Sequence, residues 1–537
     1  MRRREFVERV AGGAAAMAVA LPGRAAAEPA AQMASQVAPF ELEEATIADL
    51  QKGMESGKWT SRAICEAYLK RIAEVDRQGP TLRSILETNP DALAIADALD
   101  RERKSGKTRG PLHGIPVLIK DNLDTHDKMT TTAGSLALEG SIPAQDSTVC
   151  KKLREAGAVL LAKTNLSEWA NIRSTKSSSG WSARGGQCRN PYSLDRTPCG
   201  SSSGSGAATS ANLGAVSIGT ETDGSIVCPS NANGLAGIKP TVGLVSRAGI
   251  IPILHSQDSA GPMCRTLTDA AIVLGAIAGE DPRDSATRAG AGKSRADYTK
   301  FLDPNGLRGA RLGVPRAYFG YHHTVEHVMK DALEQLKKLG AELIDPVDLP
   351  NDPGVGAAEL EILLYELKAD LNAYLATLGP GARVKTLADV IKFNEENRDR
   401  EMPYFGQELF LQAQEKGPLT SKPYLDAVKK IGKFRKQYDS LMTKHKLDAF
   451  VAPTDSAAWT IDLVNGDHYI GGSSTPAAIC GYPNITAPAG YVHGLPVGVS
   501  FFGGAWSEPV LLKLAYAFEQ ATRVRKPPKF MHHAVHP

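Results

Sequence analysis

Cys199-Gly200-Ser201-Ser202-Ser203-Gly204-Ser205-Gly206 is too polar for a core strand, and it gains meaning only from two companion stretches. Downstream, Ala215-Val216-Ser217-Ile218-Gly219-Thr220-Glu221-Thr222-Asp223 runs into Gly224-Ser225-Ile226. Upstream, Gly114-Ile115-Pro116-Val117-Leu118-Ile119-Lys120-Asp121-Asn122 is an apolar run that delivers a lone lysine to a polar turn. Two serines and one lysine, in this order, are the residues on which the reading turns.

Cleaving an amide requires a nucleophile, a base to take its proton, a proton for the departing nitrogen and donors for the developing oxyanion. Ser225 is placed as the nucleophile. The turn before it, Thr222-Asp223-Gly224, contains a glycine that lets successive backbone N–H groups converge on one point, as an oxyanion hole demands. A lysine acts as a base only when neutral, and burial behind an apolar strand lowers its ordinary value of about 10.4 by as much as several units. Lys120 has that setting. A second hydroxyl, from Ser201 or Ser202, can relay the proton between them, because a hydroxyl both donates and accepts.

The order of these blocks, with Pro229 after Ser225-Ile226-Val227-Cys228 and Gly234-Leu235-Ala236-Gly237-Ile238-Lys239-Pro240 beyond, resembles the amidase signature family over roughly residues 40 to 530. The resemblance implies a Ser-cisSer-Lys unit: Lys120 as base, Ser201 as relay after a cis bond from Gly200, and Ser225 as the acyl-forming nucleophile. It also implies oxyanion or substrate contacts from Thr222, Asp223, Gly224 and Ser202, with no cofactor and no metal. The family commonly has Asp-x-Gly-Gly-Ser-Ile-Arg, whereas Val227 stands here in place of the arginine. Within the family, this variant, the Ala248 to Met263 block and the Gly494 to Gly504 block are similar to bacterial peptide amidases, which remove the C-terminal amide of peptides. The substrate expected is therefore a peptide amide or another small-molecule carboxamide, with aryl or alkyl acylamides as the alternative.

Gly200 to Gly204 also satisfies Gly-x-Ser-x-Gly, the nucleophile elbow with Ser202 at its tip, but that motif needs a strand immediately before it. Asn190-Pro191-Tyr192-Ser193-Leu194-Asp195-Arg196-Thr197-Pro198 is no strand. Ala291-Gly292-Lys293-Ser294 lacks the first glycine of a phosphate loop, since Thr287 occupies that position. His323 and His327 have helical metal spacing without a carboxylate cluster, which reads as a solvated helix face. His255 and Asp258 are candidates for a pocket wall or for structural hydrogen bonding, and Trp181 and Tyr192 for lining a channel or covering the core.

Around these blocks the pattern alternates. Residues 60 to 76 have helical period after Thr60-Ser61, Asp146-Ser147 caps a helix ending near Gly157, and Ala158 to Lys163 is a short β-type run. The segment 303 to 446 is charged and helical, a peripheral layer, and a strand pattern resumes near Asp448 to Thr454. The expectation is a single large α/β domain with a mixed β-sheet core flanked by helices. Asn171 to Gly206, polar and glycine-rich, reads as a flexible loop.

The first 27 residues are set apart. Arg2, Arg3 and Arg4 precede a short Gly/Ala-rich apolar stretch and Ala25-Ala26-Ala27, which reads as a twin-arginine export signal, with the amidase domain from 28 to 537 and a periplasmic or secreted address. No segment approaches the roughly 20 apolar residues of a membrane span, so no stable membrane insertion is expected. The net charge of +3 sits in that signal; beyond it 57 basic residues balance 57 acidic ones, which argues against nucleic acid as a partner. Export also disfavours the amidotransferase branch, which acts on charged transfer RNA, while a periplasmic peptide-binding protein without turnover is the reading from a different class. Seven cysteines leave at least one unpaired in a monomer, none has zinc spacing, and mostly buried free thiols are expected, with Cys199 and Cys228 flanking the motif.

Overall fold

The computed structural model describes residues 37–350 and 352–534, so the signal expected at 1–27 lies outside the described residues. The apolar run at Pro116–Lys120 forms β2, buried at all five positions, as a strand covered on both faces must be. The run at Val159–Thr164 forms β3 beside it in parallel, and Val216–Glu221 forms β6 on its other side, also parallel. Outside β3 lies β1 (Ile85–Thr88), antiparallel. Trp181–Ser182 (β4) and Gly186–Gln187 (β5) pair only with each other.

Beyond β6 the sheet continues through Ser259–Cys264 (β8), Ala236–Lys239 (β7), Asn484–Val492 (β12), Leu495–Phe502 (β13) and Ala449–Pro453 (β11). It closes with Arg311–Gly313 (β9) and Glu342–Ile344 (β10), giving eleven strands in the order β1-β3-β2-β6-β8-β7-β12-β13-β11-β9-β10. Parallel and antiparallel pairs are both present, and helices flank the sheet, so the fold is a large α/β domain with a mixed sheet.

Several helices follow from local chemistry. Thr60 Oγ1 accepts the Ala63 N–H to start Ser61–Arg71, and a wider π turn carries the chain on through Ile72–Arg77. Ser147 Oγ accepts from Cys150 N at the start of Thr148–Glu155. The segment 303 to 446 contains the helices His323–Lys338, Val355–Ala376, Leu387–Glu396 and Lys422–His445, yet it also contributes β9 and β10. Three-residue strands are too short for alternation to register in sequence. His323 and His327 lie exposed on the outer helix.

The stretch from Asn171 to Gly206 is not the flexible loop its composition suggests. It is largely buried, and its polar groups bond one another and their neighbours: Asn190 Nδ2 to Thr197 O at 3.1 Å and Ser203 Oγ to Cys199 O at 2.6 Å within the stretch, and Gly180 N–H to Ser167 Oγ at 2.9 Å outside it. Satisfied in this way, a polar segment can sit in the interior. No helix among the described residues is long and apolar enough to cross a membrane.

Candidate active site

The register of the sheet gathers the three blocks at one edge. In the parallel pairing of β2 with β6, Val117 faces Val216 and Ile119 faces Ile218, so β2 ends at Lys120 beside the last residues of β6, Gly219 to Glu221. β8 runs antiparallel to β6 with Ser259 opposite Glu221, and the loop before it brings Asp258 to the same edge.

Lys120 is fully buried. Its Nζ lies 2.8 Å from Ser201 Oγ and 2.8 Å from Thr220 Oγ1, and Asn122 Nδ2 donates to that same threonine oxygen at 3.0 Å. Burial lowers the Lys120 ammonium to about 7, while the carboxylates of Asp258 and Glu221 pull the other way. The amine is thus poised to exchange a proton near neutral pH.

Ser201 follows a cis peptide bond from Gly200. A Cβ on Gly200 would meet Ser167 Oγ at 2.2 Å, so only glycine fits there. The carbonyl of Ser201 accepts from Ser167 N–H at 3.1 Å, which leaves the hydroxyl as the group that meets the lysine.

Ser202, expected as an oxyanion or substrate contact, bonds β6: its hydroxyl donates to Thr220 O at 3.0 Å and accepts from Thr220 N–H at 3.1 Å. Its backbone N–H reaches Ser225 O at 3.3 Å and ties the two serine loops together.

Gly224 has φ of +83°, the left-handed conformation that glycine adopts without a Cβ penalty. After it, Glu221 Oε2 accepts the N–H groups of Ile226 and Val227 at 2.8 and 2.9 Å and anchors the start of the helix Val227–Ala232. Val227, where the family pattern has arginine, is buried. Asp223 accepts from the Ser474 hydroxyl and from Thr475 Oγ1 at 2.7 Å, and Thr222 Oγ1 donates to Asp258 at 2.5 Å. Among the described residues, no acceptor takes the N–H of Asp223, Gly224 or Ser225, and Ser225 Oγ has no hydrogen-bond partner. The turn borders the smaller cavity described below, so these donors are open to a group that enters it.

Two cavities adjoin these loops. One, of about 480 Å³, reaches Asn122, Thr220, Thr222, Asp258 and His255. His255 Nδ1 lies 2.9 Å from an Asp370 oxygen, which raises the imidazole. Burial lifts Asp258 to about 6 against the hydrogen bond from Thr222. The other cavity, of about 310 Å³, is bounded by Gly200 and Gly224 themselves. Trp181 packs its edge on Phe405 at 5.2 Å, and the Tyr192 hydroxyl donates to Lys526 O at 2.6 Å, so both cover the core and line neither cavity.

Three features escaped the sequence. Cys199 and Cys228 form a disulfide that bridges the two serine loops, while the other five cysteines are free and buried. Odd cysteine number concealed the pair, although its position beside both serines was a usable signal. Thr220 as the second partner of Lys120, and Glu221 as the anchor of the Ser225 turn, depend on strand register.

The family model described as Amidase matches residues 63–512. A probable amidase of Arabidopsis thaliana is 45% identical over 501 residues, covering 92% of this chain and 93% of that protein. The crystal structure of native peptide amidase from Stenotrophomonas maltophilia is 50% identical, superposes with a TM-score of 0.87, and covers 92% of this chain and 100% of its own. A glutamyl-tRNA(Gln) amidotransferase chain of Acinetobacter baumannii is 35% identical over 494 residues, 90% of this chain and 97% of that one. With a model match over most of its length and relatives of this likeness, the chain belongs to the amidase family and is an amide hydrolase.

Proposed function

We propose that the enzyme hydrolyses the C-terminal carboxamide of peptides through an acyl-enzyme on Ser225. Ser225 Oγ attacks the carbonyl carbon as its proton passes through Ser201 Oγ to neutral Lys120. The N–H groups of the 223–225 turn receive the oxyanion. The C–N bond breaks as the relay returns the proton to nitrogen, ammonia leaves, and water activated by the same relay releases the acid.

The observation that carries this reading is the 2.8 Å contact between a buried Lys120 amine near pKa 7 and the hydroxyl of Ser201. Ser225 Oγ is not bonded to Ser201 in the free enzyme, and such contacts commonly close only once substrate is bound. The peptide end of the proposal is supported by the 50% identity to the Stenotrophomonas enzyme, against 35% for the Acinetobacter amidotransferase. Export is proposed on Arg2 to Arg4, and the Cys199–Cys228 disulfide is of the kind an oxidising compartment sustains.

The test offers the chain from Glu28 onward an amidated peptide and a simple anilide side by side. Ammonia release with internal peptide bonds intact supports the proposal. Aniline alone moves the assignment to an acylamidase, and neither product favours a binding protein.

A further inference from the structure

The smaller cavity beside the serines has an unusual charge balance. Its walls carry three carboxylates, Asp223, Asp455 and Asp467, and among the described residues lining it there is no Lys, Arg or His. Two of the three are already occupied. Asp223 is bonded by Ser474 and Thr475, and Asp467 takes the Ser179 N–H at 3.0 Å and Trp459 Nε1 at 3.0 Å.

Asp455 differs. It is 3% exposed, and Oδ1 accepts the N–H of Ser456 at 2.7 Å, but Oδ2 has no partner among the described residues. Burial pushes its carboxyl well above the usual carboxylate range, and the neighbouring Asp223 adds to the effect. That oxygen is not among the sealed, unpartnered atoms of the interior but borders the cavity, where a cationic donor can reach it in a charge-assisted hydrogen bond.

Position links this oxygen to the chemistry. A carboxylate oxygen of Asp455 lies within 4.8 Å of the sulfurs of both Cys199 and Cys228. Those cysteines stand two residues before Ser201 and three after Ser225. Trp459 and Tyr469 also line the cavity, their rings edge to face at 84° with centroids 5.8 Å apart. Tyr469 is 53% exposed, so the cavity opens to solvent at its ring.

We infer that this cavity receives an ammonium group carried by the residue whose carboxamide is cleaved, with Asp455 as its counter-ion. The inference rests on the peptide-amide reading and adds its side-chain preference. A charge-assisted contact of this kind corresponds to about tenfold or more in affinity.

The test uses Ser225→Ala protein, which retains the cavity, and titration calorimetry with N-acetyl-lysinamide and its uncharged isostere N-acetyl-norleucinamide. The lysine ligand is expected to bind about tenfold tighter or better, and Asp455→Asn in the same background is expected to bring the two affinities together. Equal affinities in the Ser225→Ala protein overturn the inference without any change at Asp455, so misfolding of the second variant cannot shelter it. A preference that survives in a folded Asp455→Asn variant overturns it as well. Hydrolysis is read separately on the unsubstituted enzyme: failure to turn over either amide contradicts the proposed function, while the binding ratio still decides the cation site.

Discussion

Lys120 Nζ stands 2.8 Å from Ser201 Oγ with no surface of its own exposed, and that pairing sets the pH response of the enzyme. Burial places the amine at about 7. A base works unprotonated, so kcat/KM is expected to rise about tenfold per pH unit below that value and to level off above it. The Asp258 carboxylate favours the protonated amine, so Asp258→Asn should lower the Lys120 value further and move the acid limb to lower pH. Steady-state pH profiles of the two proteins check this; a limb displaced to higher pH would contradict it.

Ser201→Ala removes the atom that links the lysine to the nucleophile. A loss of about 10² to 10⁴ in kcat is expected, the usual weight of proton transfer, with the circular dichroism spectrum unchanged. Retention of full activity would remove Ser201 from the relay.

Glu221→Ala leaves the N–H groups of Ile226 and Val227 without their acceptor at the helix start directly after Ser225. An orphaned buried donor costs about 1 to 3 kcal/mol, so urea unfolding should report a loss of that order. Because the same turn aims Ser225, kcat should fall with it.

The disulfide between Cys199 and Cys228 closes a loop with a sequence separation of 29. By loop entropy, replacing both cysteines with alanine should destabilise the protein by about 3 to 4 kcal/mol, and a reductant should lower the unfolding midpoint of the unsubstituted enzyme alone. A midpoint indifferent to reductant would show that the bridge does not constrain the chain.

Much of this site was legible because its chemistry is concentrated in three short blocks. The buried strand ahead of Lys120 needs only an apolar run with a charged end, and Gly224-Ser225 needs only a glycine where φ must be positive. The bonds of Ser202 were not legible, because a serine among glycines and serines carries no sign of which neighbour it will bond; its partner, Thr220, is supplied by a strand. The polar stretch from Asn171 to Gly206 did mislead, since it is largely buried. Its composition resembles a flexible loop, and only tertiary hydrogen bonds such as Gly180 to Ser167 make it interior. Likewise β9 and β10 have three residues each and take their places from the edge of β11, not from their own pattern.

The most direct measurement is the mass of enzyme quenched in acid during turnover of an amidated peptide, followed by peptide mapping. An acyl adduct is expected on the fragment containing Ser225, and it should vanish together with ammonia release in Ser225→Ala. An adduct on another residue, or turnover sustained by Ser225→Ala, would contradict Ser225 as the nucleophile.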